Sequence, residues 1–395
     1  MKIKTLRSGE RVIQDPSVTY QRIYLIFYWC INIGALSLTF TVFMEKYYGF
    51  WAVNLLGLCA FLVGFGVLIL GKKHYVSRPP EGSVLPHAFK ALWIALVNGR
   101  DLEKAKPSYQ AGMFPGPPHL ISSFSSSLYA THPNILPAHG RRYSTPWSDA
   151  FIPELRRALV ACKVFLFYPI FWVIYNQLPS NFVAQAGQMR LHGLPNDELQ
   201  NIDPLTIIVF IPILDRLVYP CLRRYGYPMY PITRITCGFV CAGISMAVAA
   251  VVQHQIYIRP PNYNMPTIAT DPDGAGGVNG NDIHVAFQAP GYLFIALAEI
   301  FASITGLEYA FTKAPASMKS FIMSVFLFTS AGGSVLGIGV SKFARDPGFV
   351  WFYTGLCVVD VVATVAFWKL YGYLNELESG MNAMDGERRK RYEED

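Results

Sequence analysis

The chain has 395 residues, of which 52% are hydrophobic and only 15% are charged, and its mean hydropathy is +0.29. This balance excludes a soluble enzyme as the default class and is typical of a protein whose helices cross a lipid bilayer. The net charge of +7 is explained by the basic loops of such a protein, so it gives no reason to expect a nucleic-acid partner.

Long apolar runs predict the membrane-spanning helices. Each run is long enough to cross roughly 30 Å of hydrocarbon at about 1.5 Å per residue. In chain order the eight predicted spans cover residues 22–43, 50–71, 158–180, 204–222, 232–253, 290–311, 319–341 and 349–374. The first run is too long for a signal-peptide core and no small-residue cleavage site follows it, so we expect it to remain in the membrane.

The distribution of lysine and arginine predicts the orientation of the chain. Basic residues precede the first and third spans, follow the second, fourth and sixth, and form a run at residues 388–391. The opposite loops carry only Lys46, Arg190, Arg259, Lys342 and Arg345. By the positive-inside rule we expect both termini to be cytoplasmic, in a multi-pass protein of the plasma membrane, with a vacuolar membrane as the alternative.

The predicted spans fall into a 2 + 6 arrangement. Residues 1–71 hold an N-terminal cytoplasmic tail and two transmembrane helices, and residues 72–153 form a long cytoplasmic loop. Residues 154–375 form a six-helix transmembrane bundle, and residues 376–395 form a charged cytoplasmic tail. The overall fold class is therefore an all-α polytopic membrane protein.

Two features are predicted inside the long cytoplasmic loop. Between Val84 and Asn98, apolar residues at helical spacing predict an amphipathic helix on the membrane surface; they are Leu85, Phe89, Leu92, Trp93 and Leu96. Residues 111–140 are rich in proline, serine and histidine without a period, so we interpret them as a disordered insert.

Glu299 stands near the middle of the sixth predicted span. A carboxyl group at the bilayer midplane costs about 3 kcal/mol, so it usually faces a polar cavity inside a helix bundle. Asp360 is a second deep acid, in the last span, and we interpret it as buried against a neighbouring helix. Glu299 makes transport the first functional hypothesis.

Neither a cofactor nor a metal ion is predicted. The seven cysteines lie in or beside apolar spans without C-x-x-C spacing, as small core hydrophobes do. Residues 271–282 superficially resemble a calcium loop, but clusters of Gly, Asn and Asp are ordinary turn chemistry. We find no set of nucleophile, base and orienting group in the spans, so we do not expect an enzyme.

Four segments together resemble one known family. Two of them are residues 27–36 (FYWCINIGAL) and residues 168–177 (YPIFWVIYNQ). The third, residues 203–215, begins with DPL and ends with IPILD, and the fourth, residues 298–308, begins with AEIFAS and ends with GLE. They are similar to the fifth, seventh, eighth and tenth helices of the fungal proton-coupled oligopeptide transporters, a branch of the major facilitator superfamily. The resemblance covers essentially the whole chain except residues 111–140.

The resemblance implies a partial major facilitator fold. Family members have twelve helices in two bundles, and this chain resembles them from the fifth helix onward. The first-helix acid-and-arginine motif and the fourth-helix lysine have no counterpart in it. We therefore expect a truncated gene model or a shortened isoform.

The resemblance also implies a function, which is proton-coupled symport of di- and tripeptides by alternating access. In that function Glu299 would meet the amino terminus of the peptide and take part in proton coupling. Ser303 would bind substrate or bond back to its own helix, and both alternatives stay open. Asn32 would bind the peptide backbone through its amide, with a bond between helices as the alternative.

Other substrate-binding candidates follow from the same resemblance. Trp172 and Phe326 match aromatic walls of the family's pocket, although packing is the common role of such residues in a span. Tyr175 and Gln177 are secondary candidates. Asn176 stands where many relatives carry an acid, and an amide can bind substrate but cannot titrate.

Asp203 is the last candidate for substrate binding. It stands at the outer end of its predicted span directly before Pro204. Pro is favourable at the first helical position, so Asp203 could instead cap that helix.

The rival hypothesis is a non-transporting membrane protein. Such a protein would be a shortened form or gene-model fragment that at most associates with a full-length transporter. For either hypothesis, we expect three prolines, Pro169, Pro179 and Pro212, to bend their spans because each interrupts helical hydrogen bonding.

Overall fold

The computed structural model describes residues 3–5, 11–13, 16–75, 84–110, 145–192, 194–227, 229–266, 280–315 and 318–375. This part of the chain contains eight helical segments long and apolar enough to cross a membrane. Numbered spans 1 to 8, they are Thr19–Tyr48, Phe50–His74, Phe151–Gly187, Asp197–Arg224, Pro231–Tyr257, Val285–Lys313, Lys319–Phe343 and Phe349–Tyr371. The prediction of an all-α polytopic membrane protein with eight spans is confirmed.

Several spans consist of more than one regular helix. The α-helices of the spans are Pro16–Ala35, Ser37–Tyr48, Phe50–Leu70, Phe151–Val164, Tyr168–Tyr175, Val183–Gly187, Ile202–Ile213, Tyr219–Arg224, Pro231–Tyr257, Ala289–Ala298, Thr305–Lys313, Lys319–Val340 and Phe349–Tyr371. Short 3₁₀ segments are Gly71–His74, Leu102–Ala105, Phe165–Phe167, Asn196–Asn201, Val285–Gln288 and Ser341–Phe343. The predicted single helix of span 1 is broken at Leu36.

Short strands are also present, and none was predicted. Ile3–Thr5 pairs antiparallel with Arg11–Ile13. Met189–Arg190, directly after span 3, pairs in parallel with Asn281–His284, directly before span 6. The second pair connects the ends of two spans.

Three π-helical turns widen the spans, at Leu178–Phe182, Leu214–Val218 and Glu299–Ile304. Pro179 lies inside the first turn, and Pro212 lies two residues before the second. A proline removes one N–H donor and its ring clashes with a carbonyl of the preceding turn, so the backbone bonds rearrange there. Pro169 is the second residue of the helix Tyr168–Tyr175, which follows the 3₁₀ segment Phe165–Phe167. All three prolines therefore lie in or within two residues of irregular backbone, and the bends themselves stay a prediction.

The third π turn has no proline, and it lies where span 6 approaches span 5 closely. A Cβ atom added at Gly238 of span 5 would stand 2.6 Å from the backbone nitrogen of Ala302. Small residues permit this close approach between membrane helices. The approach places the start of the turn, Glu299, deep in the protein.

By contacts between Cα atoms the chain divides into two compact units. One comprises Met1–Val76, Val164–Thr312 and Phe326–Asp395, and the other comprises Ser77–Lys163 and Lys313–Val325. The first unit holds the residues predicted to form the substrate site.

An aromatic cluster forms part of the core of the first unit. The rings of Tyr168 and Phe326 meet edge to face with centroids 5.0 Å apart, and Phe165 meets Phe326 at 5.3 Å. Tyr168 also donates a hydrogen bond to the carbonyl oxygen of Ala302 at 2.9 Å. Edge-to-face aromatic pairs contribute about 0.5–1.5 kcal/mol beyond their buried area, so this cluster fixes span 3 against spans 6 and 7.

Buried glutamines join the ends of spans 3 and 5 to the start of span 6. Gln185 donates to Gln253 at 2.8 Å, Gln253 donates to Gln188 at 2.7 Å, and Gln288 donates to Gln185 at 2.9 Å. All four side chains are at most 3% exposed. Because each amide can both donate and accept, the network satisfies most of its buried polar atoms. Oε1 of Gln288 has no partner among the described residues.

The second unit contains the predicted amphipathic helix, which runs over Val84–Val97. Its small residues Ala88 and Ala91 are buried, whereas Phe89 is 66% exposed and Trp93 is 60% exposed. Phe89 and Trp93 therefore point away from their own unit, whereas Ile94 is buried in it. That exposure fits a helix lying on a membrane surface, which stays a prediction.

Trp147 is the centre of the second unit. Its ring lies 5.5 Å from that of Phe151 and 5.8 Å from that of His87, and its indole N–H donates to the carbonyl oxygen of Ala105 at 3.1 Å.

The predicted disordered insert, the calcium-like residues 271–279 and the tail after residue 375 lie outside the described residues. Asn281 is described, and its side chain is occupied by bonds to backbone atoms of Ile256, Asn262 and Tyr263.

Candidate functional site

Glu299 meets polar side chains from three other spans. The hydroxyl of Tyr28, on span 1, donates a hydrogen bond to Oε1 of Glu299. The hydroxyl of Tyr175, on span 3, and the carboxyl group of Asp203, on span 4, also lie against the Glu299 side chain. We call these residues, together with Ser303, the polar cluster.

The polar cluster is positioned by an apolar contact between spans 1, 4 and 6. Leu25 of span 1 packs in one buried group with Ile207 of span 4 and Ile300 of span 6. The indole N–H of Trp29 donates to the carbonyl oxygen of Ile208 at 3.0 Å, which joins spans 1 and 4 further. These contacts turn the adjacent Tyr28 toward Glu299.

Three members of the polar cluster are almost fully buried, whereas Tyr28 and Tyr175 are partly buried. Glu299 is 4% exposed, Ser303 is 5% exposed and Asp203 is 6% exposed. Oxygen atoms Oε2 of Glu299 and Oδ1 of Asp203 have no hydrogen-bond donor among the described residues. A buried carboxyl oxygen without a donor is costly in free energy, so these two oxygens are the least satisfied polar atoms of the cluster.

Asp203 does not cap its helix, contrary to the predicted alternative. A 3₁₀ turn over Asn196–Asn201 leads directly into the helix Ile202–Ile213, so Asn201 occupies the cap position. Asp203 is the second residue of the helix, and its carboxyl group turns to Glu299. The helix begins two residues earlier than the proline suggested because the preceding turn continues into it.

Asn32 and Ser303 lie at the edge of the polar cluster. Asn32 is 5% exposed and donates through Nδ2 to the carbonyl oxygen of Tyr28 at 3.0 Å, within its own helix. Ser303 lies beside the hydroxyl of Tyr28. The predicted bond from Asn32 to another helix is thus replaced by a bond inside span 1.

The predicted aromatic residues Trp172 and Phe326 lie on the side of Tyr175 away from Glu299. The Trp172 and Tyr175 rings are perpendicular with centroids 5.6 Å apart, and Trp172 lies 6.5 Å from Phe326. The Trp172 indole donates to Oγ1 of Thr329 on span 7 at 2.9 Å. A chain of side chains therefore leads from Glu299 through Tyr175 and Trp172 to Phe326.

Close backbone approach explains why Trp172 can lie there. A Cβ atom at Gly333 would clash with the Cβ atom of Trp172 and stand 3.0 Å from the carbonyl oxygen of Pro169. Only glycine leaves room for span 7 to reach span 3 at this point. Phe326 is 2% exposed and packs against Tyr168, as a core residue does.

Asn176 and Gln177 form hydrogen bonds with residues outside the polar cluster. Nδ2 of Asn176 donates to Oγ of Ser334 on span 7 at 3.5 Å. Gln177 donates to the carbonyl oxygen of Val173 and accepts from Nδ2 of Asn181, both at 2.6 Å. These described bonds are directed along span 3 and toward span 7.

Tyr28 is a site residue that the sequence analysis missed. It belongs to the quoted segment 27–36 and precedes Asn32 by four residues, so the two share a helical face. This spacing is the sequence feature that could have identified Tyr28 as a site residue. Its contact with Glu299 joins residues 271 positions apart, which no local pattern specifies.

Two cavities elsewhere in the first unit are lined by charged side chains. One of about 330 Å³ lies between spans 1 and 4, beside an ion pair of Arg22 with Asp215 at 3.3 Å. The other, of about 310 Å³, lies between spans 5 and 8 and is lined by Asp360 and Gly243. Asp360 is fully buried, so its interpretation as an acid buried against a neighbouring helix is confirmed.

Comparisons with known proteins give a consistent result. A profile of the POT family matches residues 9–354. Peptide transporter PTR2 of Saccharomyces cerevisiae is 44% identical over 385 residues, which are 98% of this chain and 58% of the yeast protein. Peptide transporter PTR_B of Candidozyma auris is 46% identical over 383 residues, which are 97% of this chain and 60% of that protein.

A solved structure shows the same fold. The crystal structure of an auto-inhibited POT family peptide transporter aligns with a TM-score of 0.59 at 22% identity, over 89% of this chain and 70% of the other. The chain spans about three fifths of the length of the curated relatives it matches.

Proposed function

The chain belongs to the POT family, and we propose that it moves di- and tripeptides across a membrane by alternating access, coupled to inward proton flow. One observation carries the proposal: a nearly fully buried carboxyl group, Glu299, lies among hydroxyl and aromatic side chains from several spans. Acids inside membrane proteins commonly mark substrate paths and proton relays. Relatives at 44% and 46% identity carry the name peptide transporter.

Each site residue has a role in the proposal. Glu299 attracts the amino terminus of a peptide and binds the proton, and Ser303 and Asn32 contact the peptide backbone. The aromatic rings of Trp172 and Phe326 accept side chains of different sizes. Recognition directed at the peptide backbone tolerates varied substrates, because every peptide has the same amide groups.

The remaining candidate residues support these roles. Tyr175 joins the polar and aromatic parts of the site, and Asp203 acts with Glu299. Asn176 and Gln177 bind substrate when their present bonds to Ser334 and Val173 are exchanged. The protein performs no catalytic chemistry in this proposal, and it lies in the plasma membrane with both termini in the cytoplasm.

Uptake of a labelled dipeptide tests the function. Cells without peptide uptake of their own express the chain, and accumulation is measured at acidic and neutral external pH. We expect Glu299→Gln to abolish accumulation driven by the proton gradient while leaving membrane insertion intact, because the amide has the same shape but cannot titrate. Glu45→Gln, an exposed acid at the end of span 1, is the matched control and should retain uptake.

Two outcomes separate this proposal from its rivals. Unchanged accumulation in Glu299→Gln removes the assigned role of that residue. Peptide uptake that responds to this chain only when a longer family member is co-expressed, together with their co-purification, supports association with a full-length transporter as the second candidate function. The observation behind that candidate is the coverage of 58% to 60% of the relatives.

A further inference from the structure

Two histidines meet where the strand pair Met189–Arg190 and Asn281–His284 joins the end of span 3 to the start of span 6. We propose that His192 and His284 form a pH-sensitive latch, which holds the first turn of span 6 against the end of span 3 while both imidazoles are neutral and releases that turn when they take up protons. Both histidines lie outside the eight spans. This inference goes beyond the proposed function, because it concerns a contact between two span ends and requires no substrate.

The first step is the contact between the two rings. The imidazoles of His192 and His284 are stacked, with centroids 4.8 Å apart and planes inclined by 24°. Neutral rings in this arrangement attract each other, whereas two imidazolium cations at the same separation repel each other. The contact between the two segments is therefore weakened when both rings are charged.

The second step is the hydrogen bond that His284 accepts. This residue is the N-cap of the 3₁₀ turn Val285–Gln288, with which span 6 begins, and the backbone N–H of Ala286 donates to its Nδ1 at 3.0 Å. Nδ1 can accept this bond only while it carries no proton, so the neutral ring has its proton on Nε2. Protonation of Nδ1 removes the acceptor and leaves the turn without its cap. Acidification therefore shifts the equilibrium toward the released turn.

The strand pair beneath the latch depends on backbone contacts. The backbone N–H of Asn281 donates to the carbonyl oxygen of Gln188 at 2.8 Å. A Cβ atom added at Gly280 would clash with the carbonyl oxygen of Met189, so only glycine permits this close approach. Because these contacts involve no titratable group, they hold the two segments together at acidic and neutral pH alike. The pH-sensitive change is thus confined to the histidine contact and the capped turn.

The third step is the charge around the histidines. Arg190 stands opposite His284 in the strand register and forms an ion pair with Asp282 at 3.2 Å. Arg259, which follows span 5, donates to the carbonyl oxygen of Asp282 at 2.9 Å. The carboxylate of Asp282 favours an imidazolium, but it is paired with Arg190, and both guanidinium groups disfavour added positive charge. Among these described neighbours, two further positive charges on the histidines therefore weaken the closed arrangement.

Hydrogen–deuterium exchange of the purified chain in lipid tests the latch without any peptide. Protection of the backbone amides of Val285–Gln288 is measured at about pH 5.5 and about pH 7.5, on either side of the range in which histidine titrates, and each rate is corrected for the intrinsic pH dependence of exchange. We expect protection to be about fivefold lower at the acidic pH, which is the factor that corresponds to the loss of one N-cap bond. In His284→Asn we expect equal protection at both pH values, because asparagine caps a helix without titrating.

His192→Asn tests the other half of the latch. Asparagine tolerates the left-handed backbone conformation of His192, where φ is 48°. We expect this variant to show a smaller loss of protection than the wild type, because no second cation then faces His284. His254→Asn is the matched control, since it makes the same change of residue type in the last turn of span 5 and should keep the full wild-type loss.

The result that would overturn the proposal is a full wild-type loss of protection in His284→Asn or in His192→Asn, in protein that retains its helical circular dichroism. If His284→Asn does not fold, His284→Asp replaces it, because an ionised carboxylate also caps a helix and aspartate stays ionised at both pH values. Equal protection at the two pH values then supports the latch, and a wild-type loss overturns it.

The test is independent of transport activity. A chain that shows the pH-dependent turn but accumulates no dipeptide leaves the latch standing and removes the proposed function. A chain that accumulates dipeptide but shows equal protection of Val285–Gln288 at both pH values does the reverse.

Discussion

At the scale of single residues, Asp360 shows how glycine makes room for a buried acid. Its side chain is fully buried, and both carboxyl oxygens lack partners among the described residues. A Cβ atom added at Gly243 on span 5 would stand 2.7 Å from Oδ2 of Asp360. The sequence revealed the depth of Asp360, whereas only the packing of spans 5 and 8 revealed the role of Gly243.

We predict that Gly243→Ala destabilises the protein by about 1–3 kcal/mol because the added methyl group overpacks against the carboxyl group. In an Asp360→Ala background the same substitution should cost much less, since the clashing oxygen is absent. Thermal unfolding of the purified protein in detergent measures the four combinations. Equal costs in both backgrounds would show that the clash does not decide the stability.

Gly355→Ala on span 8 is the matched control for this prediction. No other atom lies within 4 Å of a Cβ added there. An alanine at this exposed helical position should be neutral or should stabilise the helix by up to about 1 kcal/mol.

The polar cluster illustrates the limit of local patterns at the same scale. Glu299 is recognisable from its sequence neighbours because an acid in an apolar run is unusual. Its contacts with Tyr28 and Asp203 depend on the rotation of three helices about their own axes. A change of one residue in the π turn would rotate Glu299 away from both partners.

At the scale of elements, an ion pair joins the start of span 5 to the end of span 6. The guanidinium of Arg234 donates to both oxygens of Glu308, at 2.8 and 3.0 Å, and lies 5.9 Å from the ring centroid of Tyr219 on span 4. Arg234 is one of the basic residues that follow the fourth predicted span. Its side chain is only 5% exposed and neutralises a buried carboxylate, which its sequence position did not reveal.

We predict that Arg234→Met destabilises the protein by about 3–5 kcal/mol, because it leaves the Glu308 charge buried without its partner. The double variant Arg234→Met with Glu308→Leu should recover most of that loss, since neither charge then remains. Thermal unfolding in detergent again provides the measurement. A double variant as unstable as Arg234→Met would show that lost packing, and not the orphaned charge, causes the effect.

Arg224→Met tests the same change of residue type at an exposed position near the end of span 4. Surface substitutions of this kind usually change stability by less than about 0.5 kcal/mol. A large loss there would indicate a general requirement for positive charge.

At the scale of the whole molecule, the side of the membrane on which the two ends lie is a prediction. The described residues contain eight candidate spans, and eight crossings together with the positive-inside rule predict that both termini lie in the cytoplasm. The burial of Arg234 leaves this prediction unchanged, since many other basic residues lie in the same predicted loops. The domain bounds at residues 71, 153 and 375 remain predictions.

We predict that epitope tags at the N-terminus and after Asp395 bind antibody only in permeabilised cells. A tag inserted within residues 267–279, between spans 5 and 6, should bind antibody in intact cells. Immunofluorescence against a cytosolic marker verifies that the cells are intact. Binding to the C-terminal tag without permeabilisation would contradict the predicted orientation.

The sequence by itself determined the membrane class, the eight spans and the deep acids. These properties depend on the composition of a short stretch of chain and on its solvent, which is lipid. Only the tertiary structure decided that Glu299 faces Asp203 and Tyr28, that Arg234 pairs with Glu308, and that Gly243 accommodates Asp360. Those contacts join distant residues on different helices, and their geometry follows from how apolar helices pack and rotate against one another, which hydropathy along the chain does not encode.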